Sequence, residues 1–252
     1  MTGAMKTEST PLSGKRILVT GGTTGIGRAT VKMLVAEGAR VLTFGRHQPE
    51  LDDSLENARG GKGEAFGLTA DVATREGVDQ VFAAVDGKLG GLDILVCCAA
   101  LGAQPLHEMD EDEWRYVIET NLVGYLACAR QAIGRMDKAG AGHLLFVGSI
   151  SSTIKAPGES VYVSTKAGID AFAETLRKEI AEEKNIKVSV IQPGSTSTDM
   201  QECTDEEKRE AIANEQMLYA EEVADSIVYT LTRSQRVDVV TLRIEPRVQK
   251  TS

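Results

Sequence analysis

The sequence predicts an α/β fold: a doubly wound parallel β-sheet of about seven strands with helices on both faces. Three observations point to it. Short apolar, β-branched runs alternate with longer amphipathic stretches along the whole chain. A glycine-rich turn, TGGTTGIG, separates the first such run from the first amphipathic stretch. No repeat, composition break or long Pro/Ser linker interrupts the rhythm across the 252 residues.

Strands are expected at RILVT (16–20), RVLTF (40–44), EAFGL (64–68), DILVC (93–97), LLFV (144–147), KVSVI (187–191) and DVVTL (238–242). Their near-continuous apolar character suits strands buried on both faces. Helices are expected at 25–37, 75–89, 110–136, 160–183 and 220–232, where apolar residues recur at three- and four-residue intervals. Right-handed crossovers between parallel strands then give the doubly wound arrangement. The segment 194–218 departs from this pattern. It opens with PGSTSTDM and continues as a charged helical stretch at 205–214, so it is expected to overhang the carboxyl ends of the strands as a substrate lid. Residues 1–11 are polar and are expected to form a disordered leader, with 12–252 a single domain.

Bulk properties narrow the function. A hydrophobic content of 42% supports a sizeable core. A net charge of −9 argues against nucleic acid or an anionic membrane as partner. The longest apolar run, 94–101, is far short of a bilayer span, and the leader has no signal-peptide core. The cysteines, Cys97, Cys98, Cys128 and Cys203, are not spaced as a disulfide framework, which fits a reduced, cytoplasmic protein. His47, His107 and His143 lie far apart in the chain, so no metal site is expected.

The chemistry-bearing residues form two groups. In the glycine turn, Gly21 permits the tight bend, Gly25 admits a pyrophosphate close to the backbone, and Gly27 lets the helix pack near the strand. The helix amino end attracts negative charge, so the unit is read as a Rossmann-type dinucleotide-binding turn. The second strand ends in Phe44, Gly45 and Arg46, where a carboxylate would otherwise accept hydrogen bonds from a ribose 2′-hydroxyl. A guanidinium pairs with phosphate and offers no acceptor, so NADP(H) is expected over NAD(H). The second group is Ser149, Tyr162 and Lys166, the last two within YVSTK. Tyr162 and Lys166 are one helical turn apart, on one face. The lysine charge is expected to lower the phenol pKa, ordinarily about 10, so that Tyr162 exchanges a proton with substrate while Ser149 holds the substrate oxygen.

These residues resemble the short-chain dehydrogenase/reductase family in its form of about 250 residues, over 12–245. TGGTTGIG matches the family's T-G-x-x-x-G-x-G, which implies cofactor contacts at Gly21, Thr23, Thr24, Gly25, Ile26 and Gly27. Asp71 and Val72 match the pair that meets the adenine, and Asn121 in ETNLVG matches the asparagine that holds a proton-relay water. Ser149 and Y-x-x-x-K (Tyr162, Lys166) match the catalytic set, with Lys166 also binding the nicotinamide ribose. Pro193, Gly194, Thr196 and Thr198 match the P-G-x-x-x-T segment beside the nicotinamide. The resemblance thus implies an NADP(H)-dependent oxidoreductase that interconverts a carbonyl and a secondary alcohol. Small hydroxy acids, secondary alcohols and 3-oxoacyl thioesters are its candidate substrates. The tail RIEPRVQ is similar to that of members acting on small hydroxy acids or alcohols. It also implies a homo-oligomer, tetramer or dimer, formed through the helices at 110–136 and 160–183.

Two departures bear on this reading. Where the family has N-N-A-G after its fourth strand, this chain has Cys97-Cys98-Ala99-Ala100, with Cys98 and Ala99 facing the cofactor. Two thiols do not reproduce an amide's hydrogen bonds, and a methyl at position 100 requires a negative φ there. The run is the one feature that favours an alternative: a catalytically impaired nucleotide-binding scaffold, or a redox sensor. The second departure is Thr24, where NADP-using members often carry a basic residue.

Overall fold

A computed structural model describes residues 8–201 and 203–250. Seven strands, β1 (Arg16–Thr20), β2 (Arg40–Gly45), β3 (Glu64–Thr69), β4 (Ile94–Cys97), β5 (Gly142–Val147), β6 (Ile186–Pro193) and β7 (Thr241–Ile244), form one sheet. Its order is β3-β2-β1-β4-β5-β6-β7, and every pairing is parallel. The order reverses between β1 and β4, which opens a crevice at their carboxyl ends.

Strand alternation sends side chains to two cores. Ile17, Val19, Val41, Val96, Leu145 and Ile191 pack under α1 (Gly25–Ala36) and α8 (Ala220–Leu231), through Val31, Leu34, Val223 and Ile227. Leu18, Leu42, Phe44, Leu95, Phe146 and Val190 pack on the other face. There they meet α3 (Arg75–Ala84), α5 (Gly124–Ala139) and α6 (Ser160–Lys184) through Val81, Phe82, Tyr125, Cys128, Ile169 and Leu176. The expected doubly wound fold is therefore present.

Several elements differ from expectation. Helix α2 (Gln48–Asn57) was not anticipated; it buries only Leu51 and Ser54, too little for a periodic signal, although Pro49 opens it. The helix expected at 110–136 is broken into α4 (Glu111–Ile118), a π turn (Glu119–Val123) and α5. Strand β7 begins at Thr241 rather than 238, because the Asp238 carboxylate turns in to accept a hydrogen bond from Ser189 Oγ (3.4 Å). Of the expected leader, residues 1–7 lie outside the described residues. The rest is fastened to the end of α8: Thr10 N–H donates to Thr232 O (2.8 Å), and Ser9 bridges Arg233.

The excursion at 194–218 closes on itself. Thr196 bridges Leu218, Leu218 N–H donates to Ser195 O, and Ser197 N–H donates to Leu218 O (both 2.8 Å). Within it, α7 (Asp205–Ala213) is capped by Thr204, which accepts from Glu207 N–H (3.2 Å), and buries no residue. The carboxyl-terminal tail ties the excursion at both ends. Gln249 Oε1 accepts from Ser195 N–H (3.0 Å), Val248 N–H donates to Glu215 O (2.9 Å), and Arg247 pairs with Glu215.

Candidate active site

The carboxyl ends of β1 to β6 bring the predicted residues to one crevice. Gly21 has φ of 64° and Gly25 of 49°, the left-handed region that glycine enters freely. A Cβ on Gly21 would stand 2.6 Å from Ala99 Cα, and one on Gly27 would stand 2.2 Å from Gly21 O. The turn is thus wedged between β4 and its own helix, and side chains are excluded by contact as well as by φ. Thr24 is the N-cap of α1, with extended backbone and no side-chain cap bond. Thr23 is buried against Gly45, and Ile26 packs on the α1 core. The first backbone N–H groups of α1 receive no side-chain cap, which leaves donors of the kind an anion requires.

After β3, Asp71 is held in its turn by Ala73 N–H, which donates to Oδ1 (2.9 Å). Val72 is buried against the position of Gly124. Arg46 is exposed, and its Nη1 donates to Tyr116 Oη (3.0 Å); Tyr116 in turn donates to Asp71 Oδ2 (2.6 Å).

Beyond β4, Cys98 N–H and Ala99 N–H both donate to Thr20 Oγ1 (3.1 Å each). Ala100 is not among the residues of positive φ, so its methyl is accommodated without backbone strain. Burial raises the Cys97 thiol well above its ordinary 9.0 and Cys98 to about 12, which leaves little thiolate for redox chemistry. The Asn121 side chain is committed to the backbone, where the expectation gave it a water. Leu101 N–H donates to its Oδ1, and its Nδ2 donates to Leu101 O (2.8 Å each) and to Thr165 Oγ1 (3.4 Å). The π turn around Asn121 sets it opposite Leu101.

Ser149 follows β5, and Tyr162 and Lys166 lie in the first two turns of α6. The Ser149 hydroxyl accepts from Ser151 N–H (3.1 Å), and Ser149 acts to lower the Tyr162 phenol. Lys166 is 1% exposed; its Nζ donates to Val147 O (2.9 Å) and lies 5.6 Å from the Tyr162 ring centre. Burial lowers Lys166 from 10.5 to about 8. Burial also raises Tyr162 from 10.0 to about 12, against a lowering by Ser149 and with a smaller raise from Glu159. The expected lowering of the phenol by Lys166 is thus corrected. The ammonium donates to the β5 carbonyl of Val147, and burial governs both groups.

On the far side, Pro193 ends β6 and Thr196 Oγ1 donates to Gly194 O (2.9 Å). The Thr198 methyl lies 3.0 Å from where a Gly25 Cβ would be, and Met200 Cγ 3.5 Å from where a Gly102 Cβ would be. The start of the excursion therefore spans from the glycine turn to the loop after β4. Sequence reasoning missed Thr20 and Tyr116. A polar residue ending an apolar strand beside a glycine turn was a signal for Thr20; Tyr116 gave none, since its partner Asp71 is distant in sequence.

Among the described residues, no helix is long and apolar enough to cross a membrane, and no three or more His, Cys, Asp or Glu are placed to hold a metal ion.

A family model described as short chain dehydrogenase matches residues 15–209. A 3-oxoacyl-[acyl-carrier-protein] reductase FabG of Chlamydia pneumoniae is 36% identical over 190 residues, covering 75% of this chain and 76% of that protein. The glycine betaine reductase ATRR of Emericella nidulans is 33% identical over 94% of this chain, which spans only 19% of that protein's length. A short chain dehydrogenase from Burkholderia cenocepacia, solved in complex with NADP, is 26% identical with TM-score 0.84, covering 94% of this chain and 98% of that one. The matched profile takes in the glycine turn, Ser149, Tyr162 and Lys166 together, and the chain belongs to the short-chain dehydrogenase/reductase family of oxidoreductases.

Proposed function

We propose that the protein is an NADP(H)-dependent oxidoreductase that interconverts a carbonyl and a secondary alcohol, with Tyr162 as general acid/base. The observation that carries this reading is the buried Lys166, with its Nζ 5.6 Å from the Tyr162 ring centre, in a chain whose glycine turn leaves no room for added Cβ atoms. The residues fit a dinucleotide. The glycine turn and the start of α1 would hold the pyrophosphate, and Arg46 with Asp71 the adenosine end. Cys98 and Ala99 would lie along the ribose. Pro193, Gly194, Thr196 and Thr198 would border the nicotinamide. When bound, the nicotinamide supplies or accepts the hydride.

The chain's own contribution is proton control and orientation. A phenol raised to about 12 holds its proton at neutral pH and is a donor in waiting for a developing alkoxide. Ser149, which acts to lower that phenol, orients the substrate oxygen beside it. Among the described residues the one acceptor of Lys166 is Val147 O, so two N–H donors are left for ribose hydroxyls. Approach of an alkoxide and of these donors lowers the cost of proton transfer by electrostatic preorganisation. Asn121 acts by pinning Leu101, which sets the loop over the substrate. The segment 194–218 serves as the lid, and exposed Val123 and Leu126 supply apolar surface for a homo-oligomer.

The test is Tyr162→Phe. Turnover of NADPH with a panel of ketones, keto acids and 3-oxoacyl compounds should fall roughly 10²–10⁴-fold while nucleotide binding persists. Near-normal turnover would refute the assignment. NADH turnover above NADPH turnover in the wild-type protein would refute the cofactor preference.

A further inference from the structure

Arg46 alone is a weak reader of a phosphate. It is exposed on a loop, and a free guanidinium side chain loses rotamer freedom when it is fixed. In this chain it is not left free. Its Nη1 donates to Tyr116 Oη at 3.0 Å, and its guanidinium carbon lies 5.6 Å from the Tyr116 ring centre. Tyr116 is half-buried on α4, and its hydroxyl proton goes to Asp71 Oδ2 at 2.6 Å. The other Asp71 oxygen is occupied by Ala73 N–H at 2.9 Å, within the turn that Thr74 closes by capping α3. One hydroxyl thus links the loops after β2 and β3 to a helix.

We infer that Tyr116 is the positioning residue that makes Arg46 selective for a 2′-phosphate, by holding its guanidinium toward the adenosine end through a relay anchored on Asp71. This rests on the NADP(H) reading above. Burial and the bond to Asp71 both raise the Tyr116 pKa, so the hydroxyl keeps its proton and the relay has one direction: Arg46 donates to Tyr116, which donates to Asp71. With one nitrogen bonded to Tyr116, the remaining guanidinium N–H groups are donors for a phosphate. Preorganisation of this kind improves affinity by cutting the ordering cost of binding rather than by adding a contact to the ligand. The competing explanation is that Tyr116 merely packs α4 against the turn after β3. In that case its hydroxyl would affect every adenine nucleotide alike.

Calorimetric titration with 2′,5′-ADP and with 5′-AMP separates these, using the full chain as wild type, Tyr116→Phe, Arg46→Ala and the double variant. Tyr116→Phe should weaken 2′,5′-ADP roughly fivefold and leave 5′-AMP within about twofold. In the Arg46→Ala background the same change should have no further effect on the ratio of the two ligands, since the residues act as a unit. Equal weakening of both ligands, or no change in either, overturns the inference. If Arg46→Ala lowers the 2′,5′-ADP preference while Tyr116→Phe does not, the NADP(H) reading survives and Tyr116 is dismissed. A wild-type protein with no preference for 2′,5′-ADP removes both.

Discussion

Lys166 is the most demanding residue for the fold to keep, and Lys166→Met measures how demanding. The ammonium is 1% exposed, and burial moves it from 10.5 to about 8, equivalent to about 3 kcal/mol of disfavour for the charged form in the folded state near pH 7. Methionine has a similar unbranched shape and no charge to desolvate. Against this gain stand the lost bond to Val147 O and the contacts of Nζ over the Tyr125 and Tyr162 rings. Val147 O keeps a second donor in Tyr125 Oη (3.3 Å), so the loss is about 1–2 kcal/mol. The net expectation is a variant more stable by roughly 1–2 kcal/mol at pH 7, about 5 °C in Tm for a chain of this size, with turnover reduced at least about a hundredfold.

The pH dependence gives the sharper test. The folded pKa of Lys166 lies below the unfolded one, so between about 8 and 10.5 the unfolded chain binds more protons and wild-type stability rises with pH. The advantage of Lys166→Met is therefore full below pH 8, should vanish before pH 10.5 and should then reverse, leaving only the lost contacts. Tyr162, raised to about 12, acts with the opposite sign above pH 10, and it is present in both proteins. Urea denaturation from pH 7 to 10 supplies the measurement. A variant less stable than wild type at pH 7, or a stability gap that does not narrow with pH, would refute the argument that desolvation governs this lysine.

Two further substitutions test how the crevice is framed. Thr20→Val keeps shape in a side chain that is 1% exposed but removes the acceptor shared by Cys98 N–H and Ala99 N–H; it should cost roughly 1–3 kcal/mol in urea unfolding and weaken nucleotide binding in calorimetry. Gly21→Ala meets both a φ of 64° and Ala99 Cα at 2.6 Å, so a loss of roughly 2–4 kcal/mol with nucleotide binding abolished is expected; unchanged binding would mean that the β1–β4 wedge yields more than packed backbone should.

The sheet was legible because buried parallel strands leave a compact apolar trace, ILV within RILVT and the whole of LLFV, and six strands begin within two residues of expectation. β7 was displaced because the apolar run begins before the ladder does: 238–240 lie outside the strand, where the Asp238 carboxylate accepts from Ser189 Oγ. α2 escaped because two buried residues do not make a periodicity, and the π turns escaped because a π turn keeps the composition of the helix it interrupts. The glycine turn and the Ser149, Tyr162, Lys166 set were legible as local patterns. What was not legible is how buried charge settles. Spacing put Lys166 on the Tyr162 face but did not reveal that its Nζ would be drawn to Val147 O, or that the Asn121 amide would be spent on Leu101.

The same observations explain why Cys97-Cys98-Ala99-Ala100 does not dismantle the crevice. The turn is held by its backbone, from outside. Thr20 Oγ1 takes the N–H groups of Cys98 and Ala99, and Asn121 takes both the N–H and the carbonyl of Leu101. These clamps, separated in sequence by 101 residues, act on backbone groups, so the turn does not need amide side chains at 97 and 98. Cys97 and Cys98 instead join the two cores, one on each face of the sheet, as small apolar groups. Ala100 avoids positive φ, so the methyl adds no strain. An asparagine at position 97 would have to satisfy a buried amide among Leu95, Cys128 and Phe146, a cost this chain avoids by using Thr20 and Asn121 as its braces.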